Sequence, residues 1–306
     1  MEVINVSHLK KNFGTIQAVD DISFLVKKGE LFGFLGVNGA GKSTTINILC
    51  TLLAQSRGEV SVCGLDNRTE AESIRKRIGV VFQENTLDGL LTVRENLEFR
   101  GLLYEKDRKK VGERLKEVAQ ILEIENLLPR RFHQLSGGQK RRCEIAKSLM
   151  NTPEVLFLDE PTTGLDPQTR KQLWESIERL RKEQNMTVFL TTHYMEEAAK
   201  AQYLCIMDAG KIVARGTPSE LKQQYATDLL KLYAKDTEAL EEIAKGCEIS
   251  YDRMSNGIAV KLGSTKEALA MIERFDERNA QYSGLEVLQG SMDDVFINVT
   301  GKKMED

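Results

Sequence analysis

The chain has 306 residues, and its 43 basic and 46 acidic residues give a formal net charge of −3. Hydrophobic residues make up 41% and charged residues 29%, a composition typical of globular proteins that excludes disordered and collagen-like chains. No apolar run approaches the ~18 residues that a membrane-spanning helix needs, and the N-terminus lacks the pattern of a signal peptide. We therefore expect any work at a membrane to be done through a partner.

Short β-type segments dominate the first 60 residues, and they end in a buried strand at 31–35. A glycine-rich loop and a helix at 44–53 follow this strand directly. Residues of about 88–150 are mostly of helical type and are predicted to form an inserted helical subdomain. Apolar strands at 155–158 and 187–191 flank a helix at 169–184. Apolar strands that alternate with helices predict an α/β domain with a parallel sheet covered on both faces.

The pattern changes after residue 220, so we expect an α/β domain over 1–220 and a second domain over 221–306. In the second domain, strands are predicted at 229–234, 248–254, 258–262 and 285–288, with helices at 237–245 and 264–279. Asn256-Gly257 between the middle strands is a strong hairpin signal. The resulting β-α-β-β-α-β order is the α+β, ferredoxin-like arrangement. An irregular helical tail is the alternative, but it would not explain a hairpin between two alternating segments.

Residues 36–43 match the pattern GxxxxGK[ST] and lie between a predicted strand and a predicted helix. Such a loop directs backbone N–H groups and the positive end of the helix toward phosphate groups. Lys42 is predicted to reach the β- and γ-phosphates, and Ser43 to coordinate Mg²⁺. A turn without a ligand is the simpler alternative. The predicted nucleotide-binding residues here are Gly36, Asn38, Gly39, Ala40, Gly41, Lys42, Ser43 and Thr44.

The buried strand at 155–158 ends in two adjacent carboxylates, Asp159 and Glu160. We expect Asp159 to bind Mg²⁺ and Glu160 to act on the attacking water, because a P-loop site needs both functions. The alternative for Glu160 is an exposed helix-capping residue. No Asn-Lys-x-Asp segment of the kind that reads guanine occurs in the chain, which argues against a GTPase.

A second glycine motif, Ser136-Gly137-Gly138-Gln139, precedes a helical segment. On physical grounds it is either another anion site at a helix N-terminus or an ordinary capping turn. Together with Leu135 it forms Leu-Ser-Gly-Gly-Gln. With this motif after a P-loop, the sequence closely resembles the ATP-binding cassette (ABC) ATPases, over about residues 2–220.

The resemblance implies roles for four further residues. Gln83 matches the glutamine that contacts Mg²⁺ and faces the membrane partner, and Asp166 matches a loop that crosses the dimer interface. His193 matches the histidine that contacts the γ-phosphate, although a lone histidine is more often an ordinary structural residue. Phe13 matches the aromatic residue that stacks on adenine, although an aromatic residue in a β-rich segment is usually a core residue. The implied ligands are ATP and Mg²⁺.

The resemblance also implies an assembly. Two ATPase subunits would pair head to tail, each ATP lying between the P-loop of one chain and Ser136-Gly137-Gly138 of the other. The dimer would drive a separate integral-membrane permease from the cytoplasmic face of the membrane. Residues 291–296 are similar to the C-terminal ending of the daunorubicin-resistance type of exporter subunits, which favours export.

Two other functions stay open: a soluble ABC ATPase that acts on nucleic acid or ribosomes, and a regulatory module that binds ATP but barely hydrolyses it. The single P-loop disfavours the first, and an intact Glu160 and His193 disfavour the second. The basic clusters at 75–77 and 140–142 are interpreted as solvated helix faces, so no nucleic-acid partner is expected.

Overall fold

The structure is a computed structural model that describes residues 1–302. The chain divides into two compact units, Met1–Thr217 and the segment from Pro218 onward, and each unit is described by itself. Over residues 1–302, no helix has the length and apolar character needed to cross a membrane.

The first unit contains ten strands and seven α-helices among its residues, all of which the structure describes. The strands are β1 (Glu2–Phe13), β2 (Ile16–Lys27), β3 (Leu31–Leu35), β4 (Arg57–Val62), β5 (Leu65–Asp66), β6 (Ile78–Val81), β7 (Val155–Asp159), β8 (Thr187–Thr192), β9 (Tyr203–Asp208) and β10 (Lys211–Gly216). The helices are α1 (Lys42–Leu49), α2 (Ala71–Arg77), α3 (Val93–Leu102), α4 (Arg108–Ile121), α5 (Gly137–Leu149), α6 (Pro167–Gln184) and α7 (Met195–Ala198). Two 3₁₀ turns, Glu125–Leu127 and Phe132–Gln134, lie between α4 and α5.

A six-stranded sheet in the order β10-β9-β3-β8-β7-β6 forms the centre of this unit. All neighbouring strands in it are parallel except β9 and β10. The strands β3, β7 and β8 are buried along their whole length, as expected for a parallel sheet with both faces covered. The predicted α/β fold is therefore confirmed.

A second, antiparallel sheet in the order β2-β1-β4-β5 packs onto the same core. Phe24 of β2 stacks on Phe32 of β3, with ring centroids 5.4 Å apart, and lies 5.1 Å from the ring of Phe34. Ile46 and Ile48 of α1 belong to the same buried cluster. The central sheet is thus packed partly against a second sheet. The sequence predicts β-type segments in the first 60 residues but not that they form a separate sheet.

Helices α3, α4 and α5 contact one another and lie within the predicted helical subdomain. Thr92 begins α3 with a capping box to Glu95, and Asp107 caps α4. The segment before α3 is held by Asn96, whose amide accepts from Asp88 N and donates to Asp88 O. These local hydrogen bonds determine where the helices begin.

The second unit contains α8 (Pro218–Tyr225), β11 (Asp228–Tyr233), α9 (Thr237–Gly246), β12 (Tyr251–Met254), β13 (Gly257–Leu262), α10 (Glu267–Asp276), β14 (Gly284–Leu288) and α11 (Met292–Thr300). The elements from β11 to β14 follow the β-α-β-β-α-β succession that the sequence predicted. Their antiparallel sheet has the order β12-β13-β11-β14, which is that of a ferredoxin-like domain. Helix α8 packs on α11. The predicted boundary after residue 220 falls inside α8, whereas the chain divides just before this helix, between Thr217 and Pro218.

Candidate nucleotide-binding site

The topology of the central sheet brings four predicted site segments to one edge. Strands β3, β8, β7 and β6 are neighbours and run parallel, so their carboxyl ends lie side by side. The P-loop follows β3, His193 follows β8, Asp159 ends β7 and Gln83 follows β6. The register pairs Leu35 with Thr192 and Thr191 with Asp159. Ligands of open α/β sheets bind at such an edge.

Glycine is required at two positions of the P-loop. Gly41, the residue before α1, has φ +103°, and a Cβ there would lie 2.5 Å from the carbonyl oxygen of Ala18. A Cβ on Gly36 would lie 2.6 Å from the carbonyl oxygen of Met207. The loop backbone can therefore take this path only with glycines at these positions. Asn38, Gly39 and Ser43 are exposed, Thr44 is half-buried and Ala40 is buried.

Lys42 is buried, with only 4% of its side chain exposed, although it carries a charge. Its Nζ donates to the carbonyl oxygens of Gly36, at 2.7 Å, and Val37, at 3.2 Å. The same atom lies 3.3 Å from Oε1 of Glu160. The loop thus curls around the ammonium group, in a position where it can neutralise phosphate charge.

Asp159 lies next to hydroxyl groups that suit a hard cation. Thr191 Oγ1 donates to Asp159 Oδ1 at 2.5 Å, and Ser43 Oγ donates to the same oxygen at 3.4 Å. Mg²⁺ is commonly held by one or two carboxylates together with substrate phosphates, so Ser43 and Asp159 fit this ion. Gln83, the third predicted ligand, is exposed just beyond β6.

Glu160 is buried, which contradicts the alternative of an exposed capping residue. Its φ is +46°, a conformation that costs a non-glycine residue about 1–3 kcal/mol. Its N–H donates to both the backbone oxygen and the hydroxyl of Thr191, each at 3.1 Å. Nδ1 of His193 lies 3.3 Å from Glu160 Oε2, on the opposite oxygen from Lys42. Strain retained at a buried carboxylate between two basic groups indicates function.

The Ser-Gly-Gly-Gln motif forms a capped helix N-terminus. Ser136 begins α5, and its side chain and that of Gln139 form a reciprocal capping box. A Cβ on Gly138 would lie 1.9 Å from Cγ2 of Thr169, so this glycine is required for close packing against α6. Ser136 and Gly137 remain exposed at the positive end of a 13-residue helix. A capping turn at Ser136 therefore does not exclude an anion site at the same end of α5.

Two predicted contact residues lie at the surface of the first unit. Phe13 ends β1 opposite Ile16 and is 48% exposed, so it is not a core residue. Nζ of Lys11 lies 4.9 Å from the centre of its ring. Asp166 caps α6 and accepts hydrogen bonds from Thr169 Oγ1, at 2.5 Å, and Thr169 N, at 3.0 Å. These bonds hold the pKa of the Asp166 carboxyl below its ordinary value.

The interpretation of residues 140–142 as a solvated face is wrong for Arg141, which is only 5% exposed. Its guanidinium donates to the carbonyl oxygens of Pro161 at 2.6 Å, Asp159 at 3.0 Å and Glu160 at 3.2 Å, and also to that of Phe82. Burial lowers the pKa of Arg141 to about 10, so the group stays charged at neutral pH. The sequence does hold a signal for this burial. Arg141 is three residues after Gly138 and four before Ile145, so all three lie on the same, buried face of α5.

Glu144 on α5 is a second residue that sequence reasoning missed. Its buried carboxylate accepts from the backbone N–H of Thr86 at 2.5 Å and that of Leu87 at 2.8 Å. Lys147 donates to the same carboxylate at 2.7 Å. The segment that follows Gln83 is thereby attached to the helix that begins at Ser136.

Together, a P-loop after β3, a histidine after the adjacent strand β8 and two carboxylates at the end of β7, the next strand in the sheet, define a P-loop nucleoside-triphosphatase domain. The family described as ABC transporter matches residues 19–163, and the family described as the C-terminal domain of DrrA1-3-like ATP-binding proteins matches residues 216–300.

Curated relatives and solved structures agree with this class. The Nod factor export ATP-binding protein I of Ralstonia nicotianae is 34% identical over 99% of this chain and 95% of its own. The daunorubicin/doxorubicin resistance ATP-binding protein DrrA of Streptomyces peucetius is 34% identical over 99% of this chain and 94% of its own. The dimeric ATP-binding cassette MJ0796, bound to ADP and Pi, covers 70% of this chain and 98% of its own, with a TM-score of 0.64 at 28% identity.

The chain therefore belongs to the ATP-binding subunits of ABC transporters and carries a DrrA-type C-terminal domain. It is an ATPase, as the sequence predicted.

Proposed function

We propose that this ATPase works as a head-to-tail dimer on the cytoplasmic face of the membrane, where it energises a separate integral-membrane permease for export. The observation that carries the proposal is the position of Glu160, 3.3 Å from Lys42 on one oxygen and 3.3 Å from His193 on the other. A carboxylate between two basic groups can act on an attacking water while the basic groups contact the γ-phosphate.

Each group in the site has a distinct task in this proposal. Lys42 and the N-terminus of α1 bind the β- and γ-phosphates. Ser43, Asp159 and Gln83 would hold Mg²⁺, which would neutralise charge on the phosphates. Glu160 orients the attacking water and accepts its proton, and His193 contacts the γ-phosphate. Phe13 supplies a face on which adenine stacks.

Dimerisation completes the site from the other chain. Ser136 and Gly137 are exposed at the N-terminus of α5, where N–H groups and the helix dipole attract an anion. The side chain of Gln139 accepts a hydrogen bond from Ser136 N, and Asp166 caps the start of α6. We infer that this surface contacts the γ-phosphate of ATP bound to a second copy, as a dimer of the MJ0796 type allows. ATP then acts as the link between the two subunits.

The permease needs a docking place, and an apolar cleft of about 450 Å³ in the first unit offers one. Phe99 of α3 and Leu103, the residue directly after α3, are 66% and 60% exposed and line it together with Leu52. Thr86 and Leu87, the segment that Glu144 attaches to α5, form part of its wall. A membrane protein that fills this cleft would therefore press on the segment that follows Gln83.

The direction of transport is inferred from relatives. The Ralstonia and Streptomyces proteins are named for Nod factor export and for daunorubicin resistance, and both align along nearly the whole chain. Export by this chain is a proposal that rests on those names and on the matching C-terminal domain. No observation favours the alternative of an ABC ATPase acting on nucleic acid or ribosomes.

Co-purification from detergent-solubilised membranes tests the permease. The tagged chain should retain an integral-membrane protein, and Leu103→Asp should release it because a carboxylate is costly in an apolar interface. Leu269→Asp, at a leucine of α10 that is 71% exposed, is the matched control and should retain it. Recovery of ribosomes or nucleic acid in place of a membrane protein would support the alternative function.

A further inference from the structure

Glu197 is a buried carboxylate close to the site that none of the predicted roles uses. It lies on the short helix α7, which follows β8 and His193, and its side chain is only 1% exposed. An ionised carboxylate only accepts hydrogen bonds, so burial at this level requires several donors around it. Three side chains supply them: Thr162 of the segment between β7 and α6, Trp174 of α6 and Thr192 of β8.

One oxygen of Glu197 holds the turn that contains His193. Thr192 Oγ1 donates to Glu197 Oε2 at 2.7 Å. The same Thr192 hydroxyl accepts from the backbone N–H of Tyr194 at 2.9 Å. The residues immediately before and after His193 are therefore joined to each other, and through Thr192 to Glu197.

The other oxygen of Glu197 holds the segment after Glu160. Thr162 Oγ1 donates to Glu197 Oε1, and Trp174 Nε1 of α6 donates to the same atom at 3.1 Å. Thr162 is fully buried, two residues beyond Glu160 and four before Asp166. A single carboxylate thus attaches the start of the Glu160–Asp166 segment and the body of α6 at the same point.

We propose that Glu197 is a positioning residue for ATP hydrolysis, which sets the distance between His193 and Glu160 by joining Thr192 to Thr162. The proposal rests on the roles proposed above for Glu160 and His193. Its physical basis is that charge-assisted hydrogen bonds to a buried carboxylate are strong and directional. Movement of the His193 turn is then transmitted to the segment that leads to Asp166, on the surface inferred to face the second subunit.

The first test is Glu197→Gln, which keeps the shape but leaves one acceptor oxygen instead of two. Either Thr192, on one side, or Thr162 and Trp174, on the other, then lose their acceptor, and the His193 turn shifts relative to Glu160. We expect kcat for ATP hydrolysis to fall by about 10²-fold, the effect of a misplacement of about 1 Å. The affinity for Mg-ATP should stay within about threefold, because Lys42 and Ser43 are untouched. Glu196→Gln, at the exposed neighbour on the same helix, is the control and should change neither.

The second test is a double-mutant cycle that measures kcat and ATP affinity separately. A residue that only stabilises the fold would not lower kcat selectively. Thr192→Val and Thr162→Val each remove one hydroxyl that donates to Glu197. Each should lower kcat more than the affinity for Mg-ATP. Their effects should be less than additive with Glu197→Gln, since all three act through one carboxylate. These valine variants also carry the test if Glu197→Gln does not fold, which circular dichroism will reveal.

The outcomes separate this proposal from the function on which it rests. If Glu160→Gln and His193→Ala lose turnover while Glu197→Gln, Thr192→Val and Thr162→Val hydrolyse at the wild-type rate, the positioning role is overturned and the site stands. Strict additivity in the cycle would also overturn it. If Glu160→Gln itself hydrolyses ATP normally, the proposed catalytic site fails first.

Discussion

The ammonium nitrogen of Lys42 lies 3.3 Å from Oε1 of Glu160, although the two residues are 118 positions apart in the chain. Both side chains are buried, so little solvent screens the attraction between them. The residue expected to bind phosphate and the residue expected to act on water are therefore neighbours. A γ-phosphate held by Lys42 would lie within reach of Glu160, the carboxylate that we propose activates the attacking water.

Glu160→Gln should separate binding from chemistry. The amide keeps the size of the side chain but cannot accept a proton, so we expect turnover to fall by about 10²-fold or more. Mg-ATP should still bind, because Lys42, Ser43 and Asp159 remain. Phosphate release in single-turnover experiments, compared with binding of a fluorescent ATP analogue, measures both quantities. Turnover near the wild-type rate would contradict the role of Glu160.

The same variant should form a stable dimer with ATP, because the nucleotide is not consumed. Light scattering after size-exclusion chromatography should show twice the monomer mass with Mg-ATP and the monomer mass without it. A bulky residue at Ser136, such as Ser136→Arg, should abolish the dimer by blocking the anion site of the opposite chain. A Glu160→Gln protein that stays monomeric with ATP would argue against pairing of the isolated subunit.

Phe13→Ala should weaken ATP binding by about 1 kcal/mol, the value of one aromatic stacking contact. Stacking needs only the face of a base, so we expect modest discrimination between ATP and GTP in the wild-type protein. Calorimetric titration with both nucleotides measures this. Ile16→Ala, at the exposed partner of Phe13 in the hairpin, is the control. Unchanged affinity of Phe13→Ala would remove Phe13 from the site.

Arg141→Met should destabilise the first unit by about 3 kcal/mol. The buried carbonyl oxygens of Pro161, Asp159 and Glu160 would lose a charged donor and would find no water to replace it. Arg142→Met is the matched control, because Arg142 is only half-buried and makes one long hydrogen bond to Glu123 O, at 3.4 Å. Urea unfolding should show a much smaller loss for the control, and equal losses would mean that the buried network is not the cause.

Truncation after Thr217 should leave a first unit that binds ATP. The chain divides at this point, and the P-loop, Asp159, Glu160 and His193 all lie before it. Truncation after residue 220 should give a less soluble product, since it retains a fragment of α8 that has lost its packing against α11. A folded 1–217 protein, checked by circular dichroism, that has lost ATP affinity would show that the C-terminal domain contributes to binding.

Three wholly or partly buried thiols should react slowly with alkylating reagents. Burial raises the pKa of Cys143 and Cys205 to about 12 and that of Cys63 to about 11. A raised pKa leaves very little thiolate at pH 8, and the thiolate is the reactive form. Mass spectrometry after iodoacetamide treatment should show these three residues unmodified in the native protein and modified in urea. Fast native labelling of Cys143 would indicate that α5 opens.

The motifs could be predicted from the sequence because their chemistry is local. A P-loop needs glycines at fixed offsets beside Lys42 and Ser43, and a metal carboxylate needs a buried strand that ends at Asp159. The ferredoxin-like order followed from alternating segments around Asn256-Gly257, since hydrophobic period and turn chemistry act over a few residues. The family assignment rested on the same local patterns.

What only the tertiary structure decided is which distant side chains meet. Arg141 lay in a basic cluster and Glu197 in an acidic pair, and neither pattern showed that these two charges are buried. Their partners, such as Phe82 and Thr162, are 59 and 35 residues away. Phe13 was ambiguous for the same reason. Burial of a charge depends on donors and acceptors that come from other strands and helices, and the order of strands in the sheet determines which of them arrive.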